Sequence, residues 1–399
     1  MLKYILKRIL MVIPVLLGVT VIIFLITRVL APDPAPVVLG EHATTEAMAA
    51  WRADNGLDDP IWLQYINFIV GALRRRLEHP LYGYTAEPAD YRPAITDWIR
   101  THHGWEVRGE WIAYIPGIVK GIGLVIDRFV GKDEKVIIQP PVYHPFRLVP
   151  EGNGRQVVLN PLREHPGGGY SMDFDQLARV ADDRCRLPLL SNPHNPGGIA
   201  WDPETLRRLA AFCDERGILV VSDEIHCDMA LWDNRHTPFA SVSEAAARCS
   251  ITFGAPTKTF NIAGIVSSYA IVPDETLRNR LFSWLAANEL DAPNPFAPIA
   301  TVAAFREGEA WRRQMLRYVE GNVELVIGFC AEHLPAIRPL RPQASFLVWL
   351  DCRGLGLRHE ELPRLFIDEA PPAPNDGALF GRAGEGFMRR NVGAPPAGV

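Results

Sequence analysis

The chain has 399 residues, 48% of them hydrophobic and 22% charged, with a formal net charge of −5. This is the balance of a globular protein too long for one ordinary small domain, and its mild acidity carries no global signal for nucleic acid. The six cysteines, at 185, 213, 227, 249, 330 and 352, contain no C-x-x-C pair and no framework spacing. That argues against disulfides and a metal site, and for reduced thiols in a cytoplasmic protein.

Residues 1–30 stand apart. A basic start, MLKYILKR, precedes ILMVIPVLLGVTVIIFLITRVL, an apolar run whose one charge is Arg28. The hydrophobic helix it predicts, about 9–30, is roughly 20 residues long and matches the thickness of a bilayer. Lys3, Lys7 and Arg8 before it outweigh Arg28 after it, which predicts a cytoplasmic start. A cleaved signal peptide is the rival, but no small-x-small site is evident before Pro32. A buried core helix is the bland alternative.

From about Arg74 the character changes. RRRLEHPLYGYT is basic and aromatic, and Trp111–Ile115 reads as a strand ending at Pro116-Gly117. Ile118 to Val130 then carry apolar residues at helical spacing. Strand, glycine and helix N-terminus offer free backbone N–H groups to a phosphate, although such a turn is more often plain topology. KVIIQPPVYHPF predicts a strand and a proline-stiffened loop presenting Tyr143. RLPLLSNPHNPGG predicts another strand, with Asn192 and Asn195 ahead of prolines. DPETLRRLAAFCDERG is an amphipathic helix with Asp202 as its cap and Pro203 at its first position. It leads to the strand ILVVSDE. Strand, helix, strand at this spacing is a βαβ unit, so the sheet should be largely parallel.

The centre of the pattern is Ile218–Phe260. GILVVSDEIH is an apolar run ending in Asp223, Glu224 and His226; SITFGAPTKTFN is a second run that ends in a turn and delivers Lys258. Ligands of open α/β sheets gather at the carboxyl ends of the strands, which puts Asp223, Lys258 and the SNPHNPGG loop at one crevice. A lysine amine that condenses with an aldehyde, opposite an aspartate that holds a pyridine nitrogen, is the pair that pyridoxal 5'-phosphate (PLP) chemistry needs. Alone, Lys258 reads as a solvated surface lysine and Asp223 as a strand-end aspartate. After Lys258, PDETLRNRLFSWLAANEL and residues 298–333 predict long helices, and RPQASFLVWLDCRG returns to strand. GEGFMRRN then precedes a Pro/Gly-rich end.

In series, HPLYGYT, QPPVYHPF, SNPHNPGG, VSDEIHCDM, RHTPFAS, APTKTFNIAG and WLDCRGLGL make residues 74–393 resemble fold-type I PLP enzymes of the class I/II aminotransferase superfamily. Within it they are most similar to the cysteine-S-conjugate β-lyase (cystathionine β-lyase) branch. The resemblance implies an α/β fold, that of a PLP-dependent transferase with a mostly parallel central sheet. It assigns a PLP-binding large domain to 74–290 and a smaller α/β domain, truncated at its end, to 291–399. It also implies roles. Lys258 joins the cofactor and then takes the Cα proton, and Asp223 pairs with the ring nitrogen. Asn195 donates to the ring 3-oxygen, with His226 near that oxygen, and Tyr143 stacks on the ring face. The backbone of Gly117, Ile118 and Val119, with the Thr257 hydroxyl, holds the phosphate. Tyr84 reaches the phosphate of the partner subunit, which implies a homodimer with shared sites. Arg389 clamps the substrate carboxylate through a two-pronged contact. Arg390 beside it departs from the apolar residue the family prefers. Val266 stands where many aminotransferases place a phosphate-binding arginine, which suits the lyase branch. The activity implied is α,β-elimination of a small amino-acid thioether, cystathionine or a related cysteine S-conjugate, to thiol, pyruvate and ammonia. A class I/II aminotransferase is the alternative.

Residues 1–73 are similar to the N-terminus of dipeptide/oligopeptide ABC transporter permeases, through Pro32–Pro34, Gly40–Glu46 and Asn55–Pro60. The likeness covers the first span and part of the loop after it. It implies a fusion that inserts in a membrane through residues 9–30, with the catalytic part expected in the cytoplasm. The alternative of another class is an inactive, membrane-anchored fusion fragment of a transporter locus.

Overall fold

Short runs rich in Val, Ile and Leu make the central sheet. In the computed structural model, which describes residues 87–366 and 374–394, these runs are β1 (Ile112–Ile115), β2 (Lys135–Ile138) and β3 (Gln156–Leu159). After a separate small hairpin of β4 (Arg163–Glu164) and β5 (Tyr170–Ser171) come β6 (Cys185–Ser191), β7 (Val220–Asp223), β8 (Ser250–Gly254) and β9 (Ser268–Ile271). The seven-stranded sheet runs β1-β9-β8-β7-β6-β2-β3. Neighbours from β3 to β8 are parallel, and only β9 runs against its neighbours β8 and β1.

Period-two alternation divides the apolar residues between the two faces of the sheet. Val136, Ile138, Leu189, Val221 and Phe253 join one cluster, and Ile137, Leu190 and Val220 the other. Helices cover both faces, which is why these strands read as continuous apolar runs. Beyond α1 (Tyr91–His103), helix α2 (Ile118–Phe129) buries Ile118, Ile122, Val125 and Ile126 on the first face. Helix α3 (Pro203–Glu215) buries Leu206, Leu209 and Cys213 on the second. Truncating one such leucine to alanine would cost about 2–5 kcal/mol. The Asp202 carboxylate caps α3 as its sequence predicts, accepting from the Glu204 and Thr205 amides at 3.0 and 2.9 Å. Strand β6, α3 and β7 form the expected parallel unit, and its register sets Ser191 beside Asp223.

Helix α4 (Glu275–Ala287) follows the sheet. The helical stretch after it is two helices, α5 (Ala297–Glu307) and α6 (Glu309–His333). The break falls at Gly308, where a Cβ would lie 2.3 Å from both the Ala304 carbonyl oxygen and the Phe260 ring. A second, antiparallel sheet of β10 (Arg338–Leu340), β11 (Leu347–Asp351), β12 (Asn375–Asp376) and β13 (Phe387–Asn391) runs in the order β10-β11-β13-β12. Val319, Val323 and Cys330 of α6 pack on its Val348, Leu350 and Met388. All six cysteines are buried and none is in a disulfide. Among the described residues no helix is long and apolar enough to cross a membrane. The helix expected over about 9–30, and Tyr84, lie outside them.

Candidate active site

Five strand ends converge on one edge. Strands β1, β2, β6, β7 and β8 all point the same way, so the residues that follow them, and Asp223 that ends β7, meet at the carboxyl edge of the sheet. After β1 comes Gly117, whose φ of +104° suits a residue without Cβ and which caps the start of α2. The next amides, those of Ile118 and Val119, belong to the first turn of the helix and have no partner inside it. After β8 come Thr257, buried, and Lys258, exposed.

Asp223 is 7% exposed, and among the described residues its carboxylate accepts one hydrogen bond, from the Ile225 amide at 3.1 Å. Among the described residues no cation is paired with it. Burial pushes its carboxyl up to about 7, Glu224 adds to that push, and the charge of Lys258 draws it back. His226 is 5% exposed and neutral, since burial and then the charges of Lys258 and Arg389 push it down to about 3. The charge of Lys258 acts on both Asp223 and His226, and that of Arg389 on His226.

Arg389 arrives from the other sheet. On β13 it pairs in register with Trp349, while Arg390 pairs with Val348, so the two arginines lie on opposite faces. Arg389 Nη1 donates to Asn195 Oδ1 at 3.0 Å, and Nη2 to Asn375 Oδ1 at 2.6 Å. Its guanidinium lies 4.7 Å from the Phe380 ring centroid. Burial lowers its pKa to about 10, and no carboxylate pairs with it among the described residues. Because Asn195 spends its oxygen on Arg389, its amide N–H groups are left to donate elsewhere. The Tyr143 amide donates to the Asn195 carbonyl at 3.0 Å, tying the β2 and β6 loops together. Burial raises the Tyr143 phenol, as does nearby Asp223, while Arg389 opposes them.

A buried polar network fixes the turn behind Asp223. Glu224 Oε1 accepts from the Ser222 hydroxyl and the Phe239 amide, both at 2.8 Å, and Oε2 meets His236 Nε2 at 2.8 Å. Asp228 Oδ1 accepts from Trp98 Nε1 and pairs with His103 Nε2, again at 2.8 Å each. His103, Cys227 and Asp228 bring metal-type donors within 4.8 Å of one another. Asp228 is already satisfied by its two partners, and burial beside it pushes the Cys227 thiol well up, so the group packs rather than ligates.

The donor set fits PLP. A buried carboxylate with no cation among the described residues suits a cationic ring nitrogen, and free amides at a helix start suit a phosphate. An arginine with no carboxylate partner among the described residues suits a substrate carboxylate. Sequence reasoning misses three residues here: Asn375 and Phe380, which contact the Arg389 guanidinium, and Ser345, whose hydroxyl meets His226. The tripeptide Pro-Asn-Asp is the one signal for Asn375, though it forms β12 rather than the turn it suggests; a lone Phe and a lone Ser carry none.

The family model for aminotransferase class I and II matches residues 76–371. That for the N-terminal part of binding-protein-dependent transport system membrane components matches residues 1–87. The chain is 39% identical over 350 residues to the cystathionine beta-lyase PatB of Bacillus subtilis, covering 88% of this chain and 89% of that protein. Cystalysin from Treponema denticola, solved with PLP, superposes with a TM-score of 0.79 at 28% identity, covering 82% of this chain and 83% of that one. The PLP-bound C-S lyase from Staphylococcus hominis gives a TM-score of 0.76 at 29% identity, over 82% and 86% of the two chains.

Proposed function

The chain belongs to the aminotransferase class I and II family, and we propose that it acts within it as a PLP-dependent carbon–sulfur β-lyase. Its substrate is cystathionine or a related cysteine S-conjugate, and its products are thiol, pyruvate and ammonia. The observation that carries this reading is a buried Asp223 carboxylate with no cation among the described residues, together with the Arg389 guanidinium, which has no carboxylate among them and is tied by Asn195 to the loop after β6. Identity to a cystathionine β-lyase favours elimination over transamination.

PLP, when bound, supplies an electron sink for the charge left at Cα. Asp223 pairs with the ring nitrogen and so gains the cation its burial lacks. Asn195 and His226 face the ring 3-oxygen, and Tyr143 covers the ring. The amides after Gly117, with Thr257, hold the phosphate. Arg389 receives the α-carboxylate with two parallel N–H donors, which orients Cα–H towards Lys258. The Lys258 amine takes that proton. The Cβ–S bond then breaks, sulfur leaving with the electron pair, and water releases pyruvate and ammonia.

In this reading residues 74–290 are the cofactor domain and 291–399 the small domain, with Tyr84 serving the partner subunit's site in a homodimer. Residues 9–30 attach the chain to a membrane, supported by the transporter-type match of residues 1–87. The catalytic part works in the cytoplasm, which suits six buried free cysteines. Adding PLP to apo-protein should give the visible absorbance of a lysine-bound cofactor, lost in Lys258→Ala. A colourless wild-type protein would end the proposal.

A further inference from the structure

Ser345 sits on the segment between β10 and β11, buried at 2% exposure with a φ of +80°. That backbone region is unusual for any residue with a Cβ, and such residues persist only where their surroundings hold them. The surroundings do hold it. The Ser345 amide donates to the Met229 carbonyl at 2.8 Å, and the Leu231 amide to the Gln343 carbonyl at 2.9 Å. On the other side, the Gln343 and Ala344 amides both donate to the Gly198 carbonyl, at 2.7 and 3.1 Å. The segment is thus laced between the loop that carries Asn195 and the turn that follows Asp223. Its position delivers the Ser345 hydroxyl to His226 Nδ1 at 3.2 Å, while the Phe346 ring packs 5.7 Å from the imidazole.

The direction of this hydrogen bond follows from accounting for protons. Among the described residues the hydroxyl has no partner besides His226 Nδ1. If Nδ1 carried the imidazole proton and donated to Oγ, the hydroxyl hydrogen would be buried with nothing to accept it. With Oγ donating to a bare Nδ1, both groups are satisfied. The neutral ring then carries its proton on Nε2, which has no hydrogen-bond partner among the described residues and is left for a ligand.

We propose that Ser345 is a positioning residue, whose hydroxyl holds His226 as the Nε2–H tautomer and so presents a donor, never an acceptor, to the 3-oxygen of PLP. The proposal rests on the PLP reading of the site for its consequence, but not for the tautomer itself. With the free N–H of Asn195, His226 would give that oxygen two donors, both of which favour its anionic form.

The test uses two variants. Ser345→Ala removes the hydroxyl and keeps the awkward backbone; Ser345→Gly removes the hydroxyl and relieves the backbone, so it folds even if alanine does not. Ring-15N-histidine NMR of the full-length apo-protein, with His226 assigned through His226→Gln, should show Nε2 protonated and Nδ1 bare in the wild type. Both variants should move His226 to a mixture of tautomers. In PLP-loaded protein, the pH midpoint of the visible absorbance change should rise by about one unit in both. A protonated Nδ1 in the wild type, or a tautomer unchanged in the variants, overturns the proposal. An apo tautomer as stated in a chain that never binds PLP would instead overturn the PLP reading alone.

Discussion

Asp223→Asn should stabilise the apo-protein while removing its use for PLP. Burial raises the Asp223 carboxyl from its ordinary 3.8 to about 7, and among the described residues no cation pairs with it. The unfolded chain releases this proton near pH 4, and the folded chain holds it to about pH 7. Between those values the folded state binds more protons, so folding stability falls as pH rises through that window and levels off above it. A gap of about three units corresponds to a ceiling of about 4 kcal/mol. Asparagine copies the protonated carboxyl and can still accept from the Ile225 amide. Urea unfolding of apo wild type and variant should therefore differ by only about 1 kcal/mol at pH 4.5 and diverge at pH 8, with the variant the more stable by up to about 4 kcal/mol. PLP titrated at pH 8 should reverse the order, since the wild-type carboxylate then gains its cation. A variant as unstable as, or less stable than, wild type at pH 8 would refute the reasoning.

Arg389→Ala should leave PLP absorbance intact and lower kcat/KM for an amino-acid thioether by about 2–5 kcal/mol, on the order of 30- to 5,000-fold, read from initial rates. At Gly117 a Cβ would meet only Val266 Cγ1, at 3.6 Å, so space is available and the backbone decides. Gly117→Ala should cost about 1–3 kcal/mol of stability and weaken PLP binding, measured by equilibrium titration. Glu224→Ala strands the Ser222 hydroxyl, the Phe239 amide and His236. It should lose about 3 kcal/mol or more in urea unfolding, with Glu224→Gln losing less.

The carboxyl edge of the sheet was legible because of how parallel strands are buried. Helices on both faces demand unbroken apolar runs, so the first charged residue after each run marks the exit edge, and Asp223 and Lys258 announce themselves there. The Asp202 cap follows from similarly local physics, whereas the break at Gly308, which sits against the Phe260 ring, was not foreseen. Across the second sheet that logic fails. Phe387-Met388-Arg389-Arg390 offers two adjacent arginines, and only the pairing of β13 with Trp349 and Val348 of β11 decides which one turns to the site. The Trp98–Asp228 bond joins residues 130 positions apart, a separation at which no pattern in one sequence speaks. Ser345 is harder still, since its left-handed backbone is held by its own amide donating to the Met229 carbonyl and by the Leu231 amide donating to nearby Gln343, rather than chosen by a glycine or asparagine.

The most direct measurement is the balance of products from cystathionine. PLP-loaded protein is incubated with cystathionine and no keto acid, and thiol and pyruvate are counted together. The account predicts equal amounts of the two, formed over many turnovers and abolished in Lys258→Ala. Absence of thiol, with a keto acid formed only when an amino acceptor is supplied, would contradict it.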